Sequence, residues 1–307
     1  MQGGNFCEKH DCSIRYNWLT GGGSGLVRAI LKDPYSDFHA RAVVRTRDSE
    51  KAAELARLGI EIVQANFDDM NSLKRAFHGA YGAYCVTDFT ELLDPEKEIA
   101  QVANMAEAAK CTGLKHVIWS TFEDSREIVL LNDDRVPTVM GRYKLPQADR
   151  KAEANKEFIK RGIPTTFMLT SFYWDNFIQH NMEPKRDLDG ILTLTMPMGN
   201  AKLPGIAAQD IGKCAYGLFK EGARYIGETV GITGGQNTGQ EIANSYSKII
   251  GEPVRYYAMS IEDFRAQRFP GVEIMANTFQ IYRDFHDRYC AVRNLERLNP
   301  KILSFDE

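Results

Sequence analysis

"LTGGGSGLVRAILKD", residues 19–33, decides how this chain is read. Gly21, Gly22, Gly23 and Gly25 run with Ser24 straight into an amphipathic segment, Leu26 to Asp33. Phosphate-cradling loops are built this way. Residues without a side chain let backbone N–H groups approach the anion, and the helix behind adds the positive end of its dipole. A dinucleotide loop also needs spaced glycines and a buried strand in front of it. Here the glycines are crowded. The preceding "CSIRYNWLT" (12–20) alternates only weakly through Ile14, Tyr16 and Trp18, and it carries Arg15 and Asn17. The first strand is therefore doubtful on sequence. Two readings stay open: a shifted phosphate loop using Gly21, Gly23 and Gly25, or a flexible connection into a helix.

Beyond that stretch the chain alternates. "HARAVVR" (39–45), "IEIVQAN" (60–66), "AYGAYCVT" (80–87), "LKHVIWST" (114–121) and "IPTTFMLT" (163–170) read as strands. Between them, "SEKAAELARLG" (49–59), "DMNSLKRAFHG" (69–79), "PEKEIAQVANMAEAAKCTG" (95–113) and "LPQADRKAEANKEFIKRG" (145–162) read as helices closed by Gly59, Gly79, Gly113 and Gly162. Short apolar strands suit a parallel sheet covered by helices on both faces. The pattern predicts an α/β fold: a doubly wound parallel (Rossmann) sheet over residues 13–170, with a smaller, interleaved α/β domain over 171–307. In that second part, 190–222 reads as a strand, a loop and a helix with Asp210 as N-cap. Thr238 and Glu241 are spaced as a capping box. The last aromatic-rich helical pieces suit a lobe closing over the carboxyl ends of the strands.

Composition narrows the function. The 307 residues are 43% hydrophobic and 26% charged, with net charge -3 and pI about 6.1. That balance gives no electrostatic reason to bind a polyanion, so direct nucleic-acid contact is not expected. Cys7, Cys12, Cys85, Cys111, Cys214 and Cys290 are too few for a disulfide scaffold in a chain of this length. An intracellular, reducing setting is the expectation. The sequence holds no run of roughly 18 apolar residues and no signal-like start, so neither membrane spanning nor secretion is expected. "CEKHDC" offers Cys7, His10 and Cys12, but a structural zinc wants a fourth ligand, and no metal is expected. His116, which enters a strand, and His286 read as packing or surface residues.

Residue types at the strand ends carry the chemistry. Arg45 and Arg47 end the second strand and Lys51 follows in the next turn. Cations there suit a 2′-phosphate, where an NAD site prefers a carboxylate; a solvated basic loop is the alternative. Asp68 and Asp69 follow the next strand, where one can accept from an adenine amino group or cap a helix. Ser120 and Thr121 end "LKHVIWST" and could bind a ligand. Phe172, Tyr173, Trp174 and Phe177 cluster past the fifth clear strand, as the lining of an inter-domain pocket or as a seam joining the domains. The pieces "FRAQRF" (264–269) and "FQIYRDFHDRY" (279–289) suit a core-facing helix or a partner groove equally.

The ordered set "GGGSGLVRAILKD", "RAVVRTRDSEKAAELARLGIEIVQANFDD", "GAYGAYCVTDF", "GLKHVIWST", "ADRKAEANKEFIKRGIPTTFMLTSFYWDNF", "AAQDIGKCAYGLF" and "IGETVGITGG" resembles NmrA-type proteins. These are an atypical branch of the short-chain dehydrogenase/reductase superfamily. The resemblance runs to about Glu262 and is nearer to the NmrA-like redox sensors than to sugar epimerases. It implies a bound NADP (NADPH or NADP+), with Arg45 and Lys51 at the 2′-phosphate and Asp68 on the adenine side. Val86 and Thr87 would line the cofactor, and Lys151 would sit by the nicotinamide ribose. Matching "LVRAIL" to the family helix brings Gly23 onto the last loop glycine, but sets Thr20 and Asn17 where the earlier two belong.

Carbonyl reductases of that superfamily protonate substrate with a tyrosine four residues before the lysine. Here that position is Gln147, an amide. Tyr143 stands eight residues before Lys151, with Leu145-Pro146 between them breaking a helix. Lys151 and Ser120 are the remaining catalytic candidates. The alternative for Lys151 is an exposed helix lysine pairing with Glu153 or Glu157. The resemblance therefore points first to an NADP-binding regulator or redox sensor with little classical dehydrogenase activity. Its partner would be a protein such as a transcription factor, and its place the cytoplasm, with the nucleus second. An NADPH-dependent reductase of a small aromatic or quinone-like substrate stands next, and a cofactor-free interaction scaffold third. Substrate, partner and oligomeric state are not written in the sequence.

Overall fold

Short apolar strands pair into one sheet, and those at 82–85, 116–121 and 165–169 are buried on both faces. The computed structural model describes residues 10–15, 22–87, 95–293, 298–299 and 301–307. In chain order the elements begin β1 (His10–Arg15), α1 (Gly22–Lys32), β2 (Phe38–Val44), α2 (Glu50–Arg57), β3 (Glu61–Gln64) and α3 (Met70–Phe77). Next come β4 (Gly82–Cys85), α4 (Pro95–Thr112), β5 (His116–Thr121), α5 (Ser125–Ile128), α6 (Pro146–Ile159), β6 (Thr165–Leu169), β7 (Phe172–Tyr173) and α7 (Asn176–Gln179). They continue through β8 (Lys185–Arg186), β9 (Leu192–Met196), β10 (Lys202–Ile206), α8 (Ala208–Lys220), β11 (Thr229–Gly231) and β12 (Gly235–Thr238). The last are α9 (Gly239–Ile250), β13 (Val254–Ala258), α10 (Ile261–Arg265), α11 (Val272–Asp284) and α12 (His286–Cys290).

The main sheet runs β11-β6-β5-β4-β1-β2-β3. From β3 through β2, β1 and β4 to β5 every pair is parallel. The strand order reverses at β1, so the crevice outside the carboxyl ends of β1 and β4 is the switch point where such sheets take ligands. Residues 1–121, 153–168 and 211–230 make one compact unit, and 122–152, 169–210 and 231–307 make a second. In the first, β4 and β5 are buried along their whole length, and Ala83, Cys85, Val117, Trp119 and Phe158 share its core. The second holds two three-stranded sheets, β12-β10-β7 and β13-β9-β8.

Several sequence expectations change here. The doubtful first strand exists: β1 pairs with β2 from His10↔Phe38 to Arg15↔Val43, and with β4 through Cys12↔Gly82 to Ile14↔Tyr84. Backbone pairing on both edges satisfies its N–H and C=O groups whatever the side chains. The glycines do not precede the helix. Gly23 and Gly25 are buried within the first turns of α1, which already starts at Gly22; Gly21 lies outside the described residues. Asp210 is not an N-cap. It is the third residue of α8, wholly buried, and accepts from Leu303 N at 2.6 Å. Part of the predicted loop before it is the strand β10. The capping box at Thr238 and Glu241 forms as expected, and Asp69 caps α3 by accepting from Asn71 N and Ser72 N. Gly59, Gly79, Gly113 and Gly162 take φ of 80, 74, 68 and 66° at the helix ends.

Candidate functional site

The carboxyl edge of the main sheet gathers most of the singled-out residues in the first unit. Arg45 and Arg47 follow β2 directly and are exposed. Arg47 donates from Nη2 to Ile62 O at 2.8 Å, and Gln64 Nε2 donates to Arg45 O at 2.9 Å, so this basic loop is tied to β3. Lys51 is the second residue of α2. The N-terminus of α1, which has no acidic residue in its first turn, follows β1. Its dipole therefore presents uncompensated positive charge at the switch point.

Helix α4 ties down the loops after β3 and β4 through residues spaced three apart. Glu98 Oε1 accepts from Thr87 Oγ1 at 2.6 Å, both groups being buried. Gln101 Nε2 donates to Asp68 Oδ1 at 2.9 Å, and Asn104 Nδ2 to Phe67 O at 2.8 Å. Lys97 Nζ stands 3.9 Å from Asp68. Asp68 is thus held by α4 while remaining exposed, and Val86 and Thr87 are buried immediately after β4. Sequence reading missed the α4 stripe; the spacing of Glu98, Gln101 and Asn104 was its visible signal. At the end of β5, Thr121 Oγ1 and Trp119 Nε1 donate to one acceptor, Asn155 Oδ1, at 2.9 and 2.8 Å. Thr121 is consumed by structure, and Ser120 lies buried beside it.

Lys151, in the second unit, is 5% exposed, which corrects the surface-lysine alternative. The carboxylate of Glu157 is taken by Lys160 and Arg161, at 2.7 and 2.6 Å. One turn before Lys151, Gln147 Nε2 donates to Thr278 Oγ1 at 3.2 Å. Helix α6 starts at Pro146, so Tyr143 is outside it, as the Leu145-Pro146 pair foretold. Tyr143 is 1% exposed, with the guanidinium carbons of Arg142 and Arg126 at 4.7 and 5.6 Å from its ring centroid. Arg142 donates to its hydroxyl.

The start of α6 is fixed by two buried charges that sequence reading also missed. Asp149 accepts from Ser125 N, Ser125 Oγ, Lys144 N and Leu145 N at 2.8, 2.5, 2.9 and 3.1 Å. Burial pushes its carboxyl up, against the pull of those donors. The ammonium of wholly buried Lys144 donates to the carbonyls of Leu131, Asp133 and Val136 at 3.2, 2.9 and 2.5 Å, and burial lowers its pKa. Proline at the first helical position with an acid three residues on was the available signal for Asp149.

The aromatic cluster is core of the second unit. Phe172, Trp174 and Phe177 are buried there with Phe279; the Phe172 ring meets that of Phe177 edge-on at 5.7 Å and that of Phe279 at a tilt at 6.0 Å. Among the described residues no three His, Cys, Asp or Glu side chains gather as metal ligands, and no helix is long and apolar enough to cross a membrane. Cys7 lies outside them.

Strand order, glycine-rich helix start and basic second-strand tip define an atypical Rossmann-type α/β protein. The pattern of the NmrA-like family matches residues 20–307, and the chain belongs to that family. Its relatives include the NmrA-like family domain-containing oxidoreductase hkm9 of Aspergillus hancockii, 27% identical over 268 residues, covering 82% of this chain and 76% of hkm9. The NAD(P)H azoreductase of Xenophilus azovorans is 28% identical over 242 residues, covering 78% and 74%. Among solved structures, NmrA, a negative transcriptional regulator in complex with NAD, superposes with TM-score 0.70 at 19% identity, over 91% of this chain and 83% of its own. The NADPH-dependent quinone oxidoreductase QOR2 of Escherichia coli, complexed with NADPH, gives 0.69 at 20%, over 96% and 97%. At such identity the superpositions establish the fold.

Proposed function

We propose that the chain is an NADP(H)-binding regulator or redox sensor with little or no classical dehydrogenase activity. The observation that carries it is the pair Gln147 and Tyr143. An amide anchored on Thr278 occupies the place of the proton-donating phenol, and the nearby phenol lies outside α6, hydrogen-bonded to Arg142. The residues fit a dinucleotide. A helix N-terminus without acidic residues faces the switch point, cations follow β2, and Asp68, Val86 and Thr87 follow the next strands. Arg45, Arg47 and Lys51 would hold the 2′-phosphate, Gly23 and Gly25 the pyrophosphate side, and Asp68 the adenine. Asp69 is taken up in capping α3. Solved NmrA-type neighbours carrying NAD and NADP support the cofactor. The partner is then a protein, a transcription factor being one class, in cytoplasm or nucleus.

The test is a titration of wild type and Arg45→Ala with NADP+, NADPH and NAD+. A charge-assisted phosphate contact contributes roughly 1.5–3 kcal/mol, so the variant should lose about tenfold or more of its preference for NADP+. Equal affinity of wild type for NAD+ and NADP+ removes the assignment of Arg45.

A second reading, an NADPH-dependent reductase of a small aromatic or quinone-like substrate, is favoured by the burial of Lys151 and by the oxidoreductase names of relatives. Bound NADPH would supply a hydride, with Lys151 as the group that would hold the substrate oxygen. It requires quinone-dependent NADPH oxidation that collapses in Lys151→Met with cofactor affinity kept. A quinone panel that stays at background rejects it.

A further inference from the structure

The segment 301–307 is seated on the aromatic cluster of the second unit. The ring of Phe305 stands 5.4, 5.8 and 5.9 Å, centroid to centroid, from those of Trp174, Phe177 and Tyr246, each edge-on. On one side of it Leu303 N donates to buried Asp210 at 2.6 Å; on the other Ser245 donates to Asp306. The cradle is built for close approach. A Cβ on Gly234 would meet the indole of Trp174 at 2.7 Å and the carbonyl of Leu303 at 2.9 Å, and one on Gly205 would meet the indole at 1.9 Å. Yet Phe305 is only half-buried, and its neighbours Ser304, Asp306 and Glu307 are exposed. Ser304 donates from its backbone N and its hydroxyl to the Glu307 carboxylate at 3.0 Å each.

These contacts recognise a backbone amide, an aromatic ring and a following carboxylate, in that order, over four residues. We propose that this cradle is a peptide-docking site for an aromatic–acidic segment of a partner protein, and that Leu303–Asp306 are its occupant in cis, which the partner must displace. The inference rests on the regulator reading above and names the chemistry of its partner. A tethered occupant competes at an effective concentration on the order of mM. The seated segment therefore masks the site, and its release exposes it.

The full-length chain tests this with a fluorescein-labelled peptide of the sequence KILSFDE, read by anisotropy. Phe305→Ala should bind it at least tenfold more tightly than wild type, and a peptide with alanine at the place of Phe305 should not bind. Equal affinity of wild type and variant overturns the proposal, as does equal binding of the two peptides. Displacement by 2-naphthol as effective as by unlabelled peptide also overturns it, since the cradle would then read a ring alone. If Phe305→Ala does not fold, Asp306→Ala, which removes the occupant's exposed carboxylate and leaves the cradle unchanged, must give the tighter binding or the proposal fails. An NADP+ titration on the same proteins reports separately on the regulator reading.

Discussion

His116 offers a stability measurement whose sign and size come from its surroundings. It opens β5 at 0% exposure, with its ring edge-on to Phe219 at 5.3 Å. Nε2 lies 2.8 Å from Thr166 Oγ1, and that hydroxyl donates its own hydrogen to Tyr225 O at 2.7 Å. The hydrogen between the two side chains is therefore on Nε2, and Nδ1, buried without a hydrogen-bond partner, favours the neutral ring. Burial pulls its pKa from 6.5 to about 4. Above the unfolded value both states are neutral and the full stability is present. As pH falls from 6.5 toward 4 the unfolded chain binds a proton that the folded chain refuses, and stability drains away. At about pH 5 the proton-binding ratio is roughly 30, a loss of about 2 kcal/mol. Urea unfolding at about pH 7.5 and about pH 5 should show that loss in wild type and not in His116→Gln, whose amide still donates to Thr166 but does not titrate. Comparing the two proteins cancels the carboxylates both share. If both lose the same amount to within about 0.5 kcal/mol, the buried neutral imidazole is wrong.

Asn155→Ala leaves two buried donors, Trp119 Nε1 and Thr121 Oγ1, without their shared acceptor; it should cost about 2–4 kcal/mol by chemical denaturation. Arg293, buried and bridging Glu123 Oε2 at 2.9 Å and Thr170 O at 2.8 Å, should cost about 3–5 kcal/mol when changed to Ala. Glu123→Gln, which keeps hydrogen-bonding oxygen, should cost clearly less in the same assay. Gln147→Tyr puts a phenol one helical turn before Lys151; if the absent proton donor limits carbonyl reduction, NADPH-dependent turnover of an aryl ketone should rise at least about tenfold. An unchanged rate would mean that something other than the amide blocks the chemistry.

What the sequence disclosed followed from periodicity and from residues with one conformational habit. β4 and β5 were legible because strands covered on both faces carry short apolar runs, Ala83–Cys85 and Val117–Trp119, and the α9 start because Thr238 and Glu241 have a reciprocal geometry fixed by spacing. β1 was obscure because a central strand can be held by its two neighbours' backbones even when Arg15 breaks the apolar run. The glycines misled for the converse reason: a buried helix start tolerates Gly23 and Gly25, where propensity alone favours a loop. For the site, strand-end positions such as Arg45 and Val86 could be read directly. The Lys144 ammonium under three carbonyls and the reach of Asp149 back to Ser125 could not. Both depend on where a loop of some twenty residues returns, which no local pattern encodes.

The first unit is assembled from three separate stretches, the last ending at residue 230, and Phe167 N of β6 donates to Glu228 O beside β11. During synthesis, then, the edge of β6 emerges from the ribosome well before the residues that cover it. A nascent chain stalled near residue 200 would carry an open strand edge, the kind of surface that recruits chaperones or pairs with another chain. Yield on overexpression should accordingly respond to translation speed between residues 170 and 230 more than to changes in the earlier helices.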